Sequence, residues 1–266
     1  MKPYIGVSGI EEPEQLDEML TLYSQRGDIT HEFMPGLIVS YKTLIGVKDK
    51  RIVLMEDEVR SIFEELKKKD SKNVFPTLHF YTKHPSKVRS ELGKEAIRIT
   101  EKPLHEQVSR LIGDIYKDYK KTKPLFHLGL QINVSWPDPA EINQIKKYFP
   151  DLKIILQVSD FESLDKRIRK QNAHCYLVDP SRGEGIDYTE KAVRAFSVIN
   201  EKKPNAKIGI AGGINPENVR ERISSLRKKL RRRDFCIDAQ TGLRTEGYLD
   251  MNKVERYLEE AIEAFQ

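Results

Sequence analysis

Three short segments in the second half of the chain combine residue types and spacing that could do chemistry. Ile208-Gly209-Ile210-Ala211-Gly212-Gly213-Ile214 is an apolar run that passes into paired glycines and then into Asn215-Pro216-Glu217. Glycines at such a turn let backbone N–H groups approach an anion with no side chain in the way. A second run ends Asp238-Ala239-Gln240-Thr241-Gly242, again on small residues. Either turn alone would be only a turn, but together they predict a phosphate site made by Gly212, Gly213, Thr241 and Gly242. The third segment, Leu177-Val178-Asp179-Pro180-Ser181-Arg182-Gly183-Glu184-Gly185, sets Asp179 at the end of an apolar run. A carboxylate there can serve as general acid or base. Asp187, further along the loop, fits a structural cap better.

Residues so far apart need a frame that gathers them. Short apolar runs alternate with longer amphipathic ones from end to end, the pattern of parallel strands joined by crossover helices. Eight strands are expected: Tyr4 to Val7, Phe33 to Val39, Val74 to Tyr81, Phe126 to Ile132, Lys153 to Val158, Cys175 to Val178, Lys207 to Ile210 and Phe235 to Ile237. Their β-branched, near-continuous character marks strands buried on both faces. Asn215-Pro216 and Asp138-Pro139 each supply an N-cap and a first-turn proline for a helix. The fold predicted is a single α/β domain over residues 1–266, a (β/α)8 TIM barrel. Loops after the strands form the active face of such a barrel, and those after the seventh and eighth strands are its recurrent phosphate position. Two stretches there, near 41–50 and 82–103, are longer than a minimal barrel needs and are expected to enlarge or cover the pocket. Polar residues at the other strand ends complete the predicted pocket: Ser40, Lys42, Tyr81, Lys83, Gln131, Asn133, Gln157, Ser159 and Arg182.

The 266 residues are an ordinary length for such a barrel, and 33% charged against 38% hydrophobic suits outer helices with one wet face. Formal charge is +5, from 46 basic and 41 acidic residues, which slightly favours anionic ligands without demanding nucleic acid. The basic run Arg227 to Arg233 falls at the end of the seventh helix, where cations complement the dipole on the side away from the catalytic loops. A nucleic-acid partner is therefore not expected. The start MKPYIGVSGI carries no export pattern and no apolar run reaches membrane-spanning length, so a cytoplasmic protein without a membrane partner is expected. Cys175 and Cys236 fall inside strands and read as reduced, buried thiols. His79 and His84 flank the third strand's end with no carboxylate or second histidine at ligand spacing, so neither a metal nor another cofactor is predicted.

From Gly129 onward the chain resembles phosphoribosylanthranilate isomerase, a (β/α)8 enzyme of tryptophan biosynthesis. Leu130-Gln131-Ile132-Asn133 is similar to that family's fourth strand and Val178 to Gly185 to its aspartate and glycine-rich segment. Ala211-Gly212-Gly213-Ile214-Asn215-Pro216-Glu217-Asn218-Val219 is similar to its seventh-strand phosphate motif, and Asp238-Ala239-Gln240-Thr241-Gly242 to its eighth-strand Asp-x-Ser-Ser-Gly. The resemblance implies phosphate binding and, for Asp179, the general acid of an Amadori rearrangement of an aminated ribose phosphate. The family's general base is a cysteine in an N-terminal Cys-Gly-Ile motif. Here the matching segment is Val7-Ser8-Gly9-Ile10-Glu11, with serine at the cysteine's place, and Asn133 replaces the family's fourth-strand histidine.

An unassisted serine hydroxyl titrates far above neutral pH, so Ser8 could act only beside another base. Little or no phosphoribosylanthranilate isomerase activity is therefore expected, and any isomerase chemistry is expected to use a different base, for which Glu11, on the same loop, is the candidate. The leading expectation is an isomerase-like enzyme acting by proton transfer on a phosphorylated sugar or phosphoribosyl compound. The alternatives are a non-catalytic barrel that binds a phosphometabolite, and a nucleic-acid or partner-binding protein using residues 227–233. The sequence leaves the oligomeric state open.

Overall fold

The structure, a computed structural model, describes residues 1–26, 30–48, 52–69, 72–82, 93–122, 127–133, 136–180, 190–230 and 234–266. Eight parallel strands pair in chain order and close on themselves: β1 (Tyr4–Ser8), β2 (Glu32–Ser40), β3 (Thr77–Tyr81), β4 (Gly129–Ile132), β5 (Lys153–Val158), β6 (Cys175–Val178), β7 (Lys207–Ile210) and β8 (Cys236–Ala239). Closure comes from β1 pairing with β8, with Gly6 opposite Asp238 and Val7 opposite Ala239.

β5, β6 and β7 have the bounds that their apolar runs predict. β3 is shorter than its apolar run, because Pro76 has no N–H to donate to a ladder and leaves Val74 in an isolated bridge with Phe33. β4 begins at Gly129, and Phe126, its expected first residue, lies outside the described residues.

Strand side chains alternate between the two faces, and here the alternation divides the core in two. Ile5, Val7, Leu130, Ile132, Ile154, Leu156, Tyr176, Val178 and Ile237 face outward into the main core with the helices. Tyr4, Met34, Phe75, Ile155, Cys175, Leu177, Ala211 and Cys236 fill the barrel's interior. Cys175 and Cys236 are thus buried free thiols. The same period carries Ser8, His79, Gln131, Gln157, Asp179 and Asp238 inward one layer above, towards the strands' C-terminal ends.

The outer layer comprises α1 (Pro13–Ser24), α2 (Glu56–Lys68), α3 (Gly93–Thr100), α4 (Leu104–Thr122), α5 (Pro139–Tyr148), α6 (Leu164–Ile168), α7 (Glu190–Lys202), α8 (Val219–Leu230) and α9 (Met251–Phe265). α5 starts as predicted, with the Asp138 carboxylate accepting from the Ala140 N–H at 2.9 Å. α8 starts three residues later than Pro216. Asn215 and Asn218 exchange side-chain-to-backbone bonds of 3.0 Å each, which hold residues 216–218 as a turn before the helix. The two long stretches pack on each other: a single 3-10 turn at Thr43–Ile45 follows β2, and Tyr41, Leu44 and Ile45 meet Ala96 and Ile99 of α3.

The β1/β8 closure is fastened beyond its ladder. After a short 3-10 turn at Thr241–Leu243, the chain forms a hairpin of β9 (Arg244–Thr245) and β10 (Tyr248–Leu249). Arg244 reaches across to the β1 loop, donating to Gly9 O at 2.6 Å and to the Glu11 carboxylate at 2.6 Å. Their side chains are 9% and 3% exposed, so each charge depends on the other. Replacing Arg244 with Met strands a buried carboxylate and should cost about 3–5 kcal/mol, read as a lowered urea midpoint. Adding Glu11→Gln to that variant should restore part of the loss, and an unchanged midpoint in Arg244→Met would show that the pair contributes nothing.

Candidate functional site

A pocket of about 280 Å³ opens at the C-terminal ends of the strands. One side is made by Tyr81 of β3, Gln131 and Asn133 at β4, and Gln157 and Ser159 at β5; the other by residues 211–214 and 238–242; Asp179 lies between them after β6.

The glycine turn after β7 is shaped by its carbonyls. Arg222 of α8 donates to Gly212 O at 2.9 Å, and the Asn218 amide donates to Gly213 O at 2.8 Å. Both glycines have positive φ, 99° and 58°, a region that side chains disfavour. With the carbonyls held by α8 and its cap, the Gly212 and Gly213 N–H groups make no hydrogen bond among the described residues. The β8 turn stands against this one so closely that a Cβ on Gly242 would lie 2.1 Å from Ile214 O. Gly242 occupies the first turn of the 3-10 helix, where N–H groups lack intrahelical partners.

Two carboxylates share the pocket. Asp179 is 4% exposed, and Gln157 Nε2 donates to its Oδ2. Asp238 is 6% exposed, and its Oδ1 accepts from the Ser8 hydroxyl at 2.6 Å. Burial lifts the Asp238 carboxyl to about 7, against the pull of the Ser8 hydrogen bond and with a further push from Asp179. Nearby, Gly36 of β2 separates Ser8 Oγ from His79 Nε2; its missing Cβ would sit 2.7 and 2.8 Å from them. Burial takes the His79 imidazole down to about 3, so it is neutral at ordinary pH, and its Nε2 has no partner among the described residues. Gln131 Oε1 is likewise buried without a partner among the described residues, while its Nε2 donates to Asn133 Oδ1 at 3.1 Å.

The model of the N-(5'-phosphoribosyl)anthranilate (PRA) isomerase family matches residues 131–260. The crystal structure of phosphoribosyl anthranilate isomerase from Thermus thermophilus superposes with a TM-score of 0.59 over 97% of each chain, at 17% identity. This chain is a (β/α)8 barrel whose second half is similar to the phosphoribosylanthranilate isomerase family. An N-(5'-phosphoribosyl)anthranilate isomerase of Lacticaseibacillus casei is 28% identical over 125 residues, 47% of this chain. The chain spans about half of that relative's length, 53%. A phosphoribosyl anthranilate isomerase in complex with reduced 1-(o-carboxyphenylamino)-1-deoxyribulose 5-phosphate superposes with a TM-score of 0.54, covering 97% of this chain and 98% of the other at 16% identity.

The barrel gathers many of the sequence candidates and disperses others. Gly212, Gly213, Thr241, Gly242, Asp179, Tyr81, Gln131, Asn133, Gln157 and Ser159 all line the pocket. Ser8 is fully buried beneath it, committed to Asp238. Glu11 is not in the pocket wall, because its carboxylate is drawn into the Arg244 pair. Ser40 closes the turn after β2, accepting from the Lys42 N–H at 3.1 Å, and neither residue lines the pocket. Among the described residues of the two long stretches none lines it either. Lys83, His84, Arg182, Asp187 and Arg231 to Arg233 lie outside the described residues. Arg227, which opens the basic run, is turned onto α9, donating to Ala264 O and Phe265 O at 2.6 Å each. No helix of the described residues is long and apolar enough to cross a membrane, and no three metal-ligating side chains among them converge.

Asp238 is the site residue that sequence reasoning left out. The signal was present: it ends an inward-facing strand run as Asp179 does, within a motif already singled out. Its folded pKa of about 7 lies above the 3.8 of an ordinary aspartate, so the native state binds this proton more tightly than the unfolded chain. The stability this contributes is complete below about pH 4 and is lost as pH rises through about 7. Asp238→Asn removes the titration, so the variant's Tm relative to the parent should climb between pH 5 and pH 8. A constant difference would mean that the carboxyl titrates normally.

Proposed function

We propose that this barrel isomerises a phosphoribosyl compound by proton transfer, holding the phosphate on the β7 and β8 turns. The observation that carries this is the placement of Asp179 and the free amides of Gly212 and Gly213 on one small pocket. Amides whose carbonyls are fixed elsewhere are preorganised for an anion and need no rearrangement to receive it. A substrate anchored there by its phosphate extends towards the β6 carboxylate. The family likeness supports an aminated ribose phosphate as the substrate and an Amadori rearrangement as the reaction. Asp179 is then the general acid, oriented by Gln157, that protonates the ring oxygen as the C1–O bond opens. A base must also take the proton from C2, and neither Glu11 nor a bare Ser8 hydroxyl is placed for that.

The closed-off Ser8 favours a second reading, in which the barrel binds a phosphorylated metabolite without turning it over. Phosphoribosylanthranilate separates the two. Turnover is expected, and Asp179→Asn should lower kcat by about 10²–10⁴-fold while leaving affinity for the phosphorylated ligand nearly unchanged. At about 100 times its dissociation constant, the ligand should add about 2.7 kcal/mol of stability. That stabilisation with no turnover would establish the binding reading, and neither effect would sink both.

A further inference from the structure

We propose that Asp238 is the proton acceptor of this site and that Ser8 is its positioning residue. This rests on the isomerase reading above and supplies the base that reading requires.

Three observations carry it. Asp238 and Asp179 end inward-facing runs on β8 and β6, with β7 between them, and both line the one pocket that also holds the glycine turns. A substrate fixed by its phosphate therefore meets two carboxylates, which is what a reaction needing one proton delivered and one removed requires. The second observation is the environment of Asp238. Its Oδ1 accepts a hydrogen bond from the Ser8 hydroxyl at 2.6 Å, and no other hydrogen bond reaches the carboxylate among the described residues. Oδ2 is thus uncommitted on a residue that faces the cavity. The third is the direction of the Ser8 bond. The hydroxyl donates to the carboxylate, so serine cannot be the base, but it fixes the carboxylate's rotamer and stabilises the anion.

The titratable groups facing Asp238 are Asp179 from β6, Tyr4 from β1 and Tyr257 from α9, with His79 of β3 beyond Ser8. None of them supplies a positive charge: both tyrosines are held above their ordinary range by burial, and His79 stays neutral. A desolvated carboxylate with acidic or neutral neighbours is a stronger base than one in water, and its titration near 7 suits proton abstraction at neutral pH.

The steps balance as follows. Asp179 gives its proton to the ring oxygen, the C1–O bond breaks and the nitrogen lone pair forms C1=N. Asp238 then takes the C2 proton, the C–H pair becomes C1=C2 and the C=N π pair returns to nitrogen. Loss of the 2-hydroxyl proton and protonation at C1 give the aminodeoxyketose. The two carboxyl groups exchange their protons with solvent, and nothing is oxidised or reduced.

The experiment follows phosphoribosylanthranilate isomerisation from pH 5 to 9, with binding of the reduced deoxyribulose phosphate as a second readout. Asp238→Asn should lose about 10²–10⁴-fold in kcat and keep its affinity for the reduced compound. Ser8→Ala should stay active, but the acidic limb of its kcat/KM profile should move to higher pH by roughly half a unit or more, because the carboxylate loses its donor. Its activity loss should therefore be larger at pH 6 than at pH 9, which a merely structural role would not produce. Should Asp238→Asn fail to fold, the Ser8→Ala profile decides alone. Near-parental kcat in Asp238→Asn, or a uniform loss in Ser8→Ala with no moved limb, overturns the proposal while leaving the isomerase reading intact. A parent protein that binds the reduced compound without turnover overturns both.

Discussion

The parallel pairing of β1 with β8 is the constraint on which the site depends. Before it forms, Ser8 and Asp238 are 230 positions apart in the chain; once Gly6 lies opposite Asp238, the hydroxyl and the carboxylate meet inside the barrel. The ladder alone holds few residues, three pairs against five between β1 and β2. Side chains reinforce it along its length. Tyr257 of α9 donates to Gly6 O at 3.1 Å, and Arg244 bridges to the β1 loop above. Below, His31 Nε2 meets Phe235 O at 3.1 Å while the ring stacks on Phe265 at 3.9 Å.

What fills the barrel changes with height, and the change has an energetic reason. The lower interior is mostly apolar, with the Tyr4 hydroxyl buried among its side chains, and close packing there compensates for the loss of water. The layer above is polar and buried, so its groups must satisfy one another or wait for a ligand. Gln157 serves Asp179 and Ser8 serves Asp238, whereas His79 Nε2 and Gln131 Oε1 have no partner among the described residues. Such unmet groups cost stability, of order 1–3 kcal/mol each. Their place under the pocket marks where stability gives way to recognition.

Much of this was legible in the sequence because it depends on neighbours along the chain. Apolar runs bounded by turns gave the strands, and Asp138-Pro139 gave a helix start, since both are local signals. The paired glycines were readable for the same reason. Partners that meet across the barrel were not. Glu11 looked available as a base because nothing near it in sequence opposes its charge, and its true partner, Arg244, stands 233 positions away. Ser8 looked isolated for the same reason. Periodicity gives the face on which a residue lies but not its companion from another strand, and pocket chemistry is decided by such companions. Local hydrogen bonding misled in one case: the Asn215 and Asn218 exchange delays α8 beyond the proline that seemed to open it.

The fastening of the closure by α9 and its preceding hairpin bears on how the protein is made. Synthesis delivers strands in order at roughly 5–20 residues per second, and domains begin to fold as they emerge. Seven strands can pair in succession, but β1 keeps an open edge until β8 and the segment carrying Arg244, Tyr257 and Phe265 leave the ribosome. During that interval the inward carboxylates, glycine turns and Ser8 belong to a curved sheet with exposed edges, not to a pocket. A nascent chain stalled before residue 236 therefore presents open strand edges and no finished pocket. Residues 236–266 convert an open-edged sheet into a closed barrel with a pocket at its mouth.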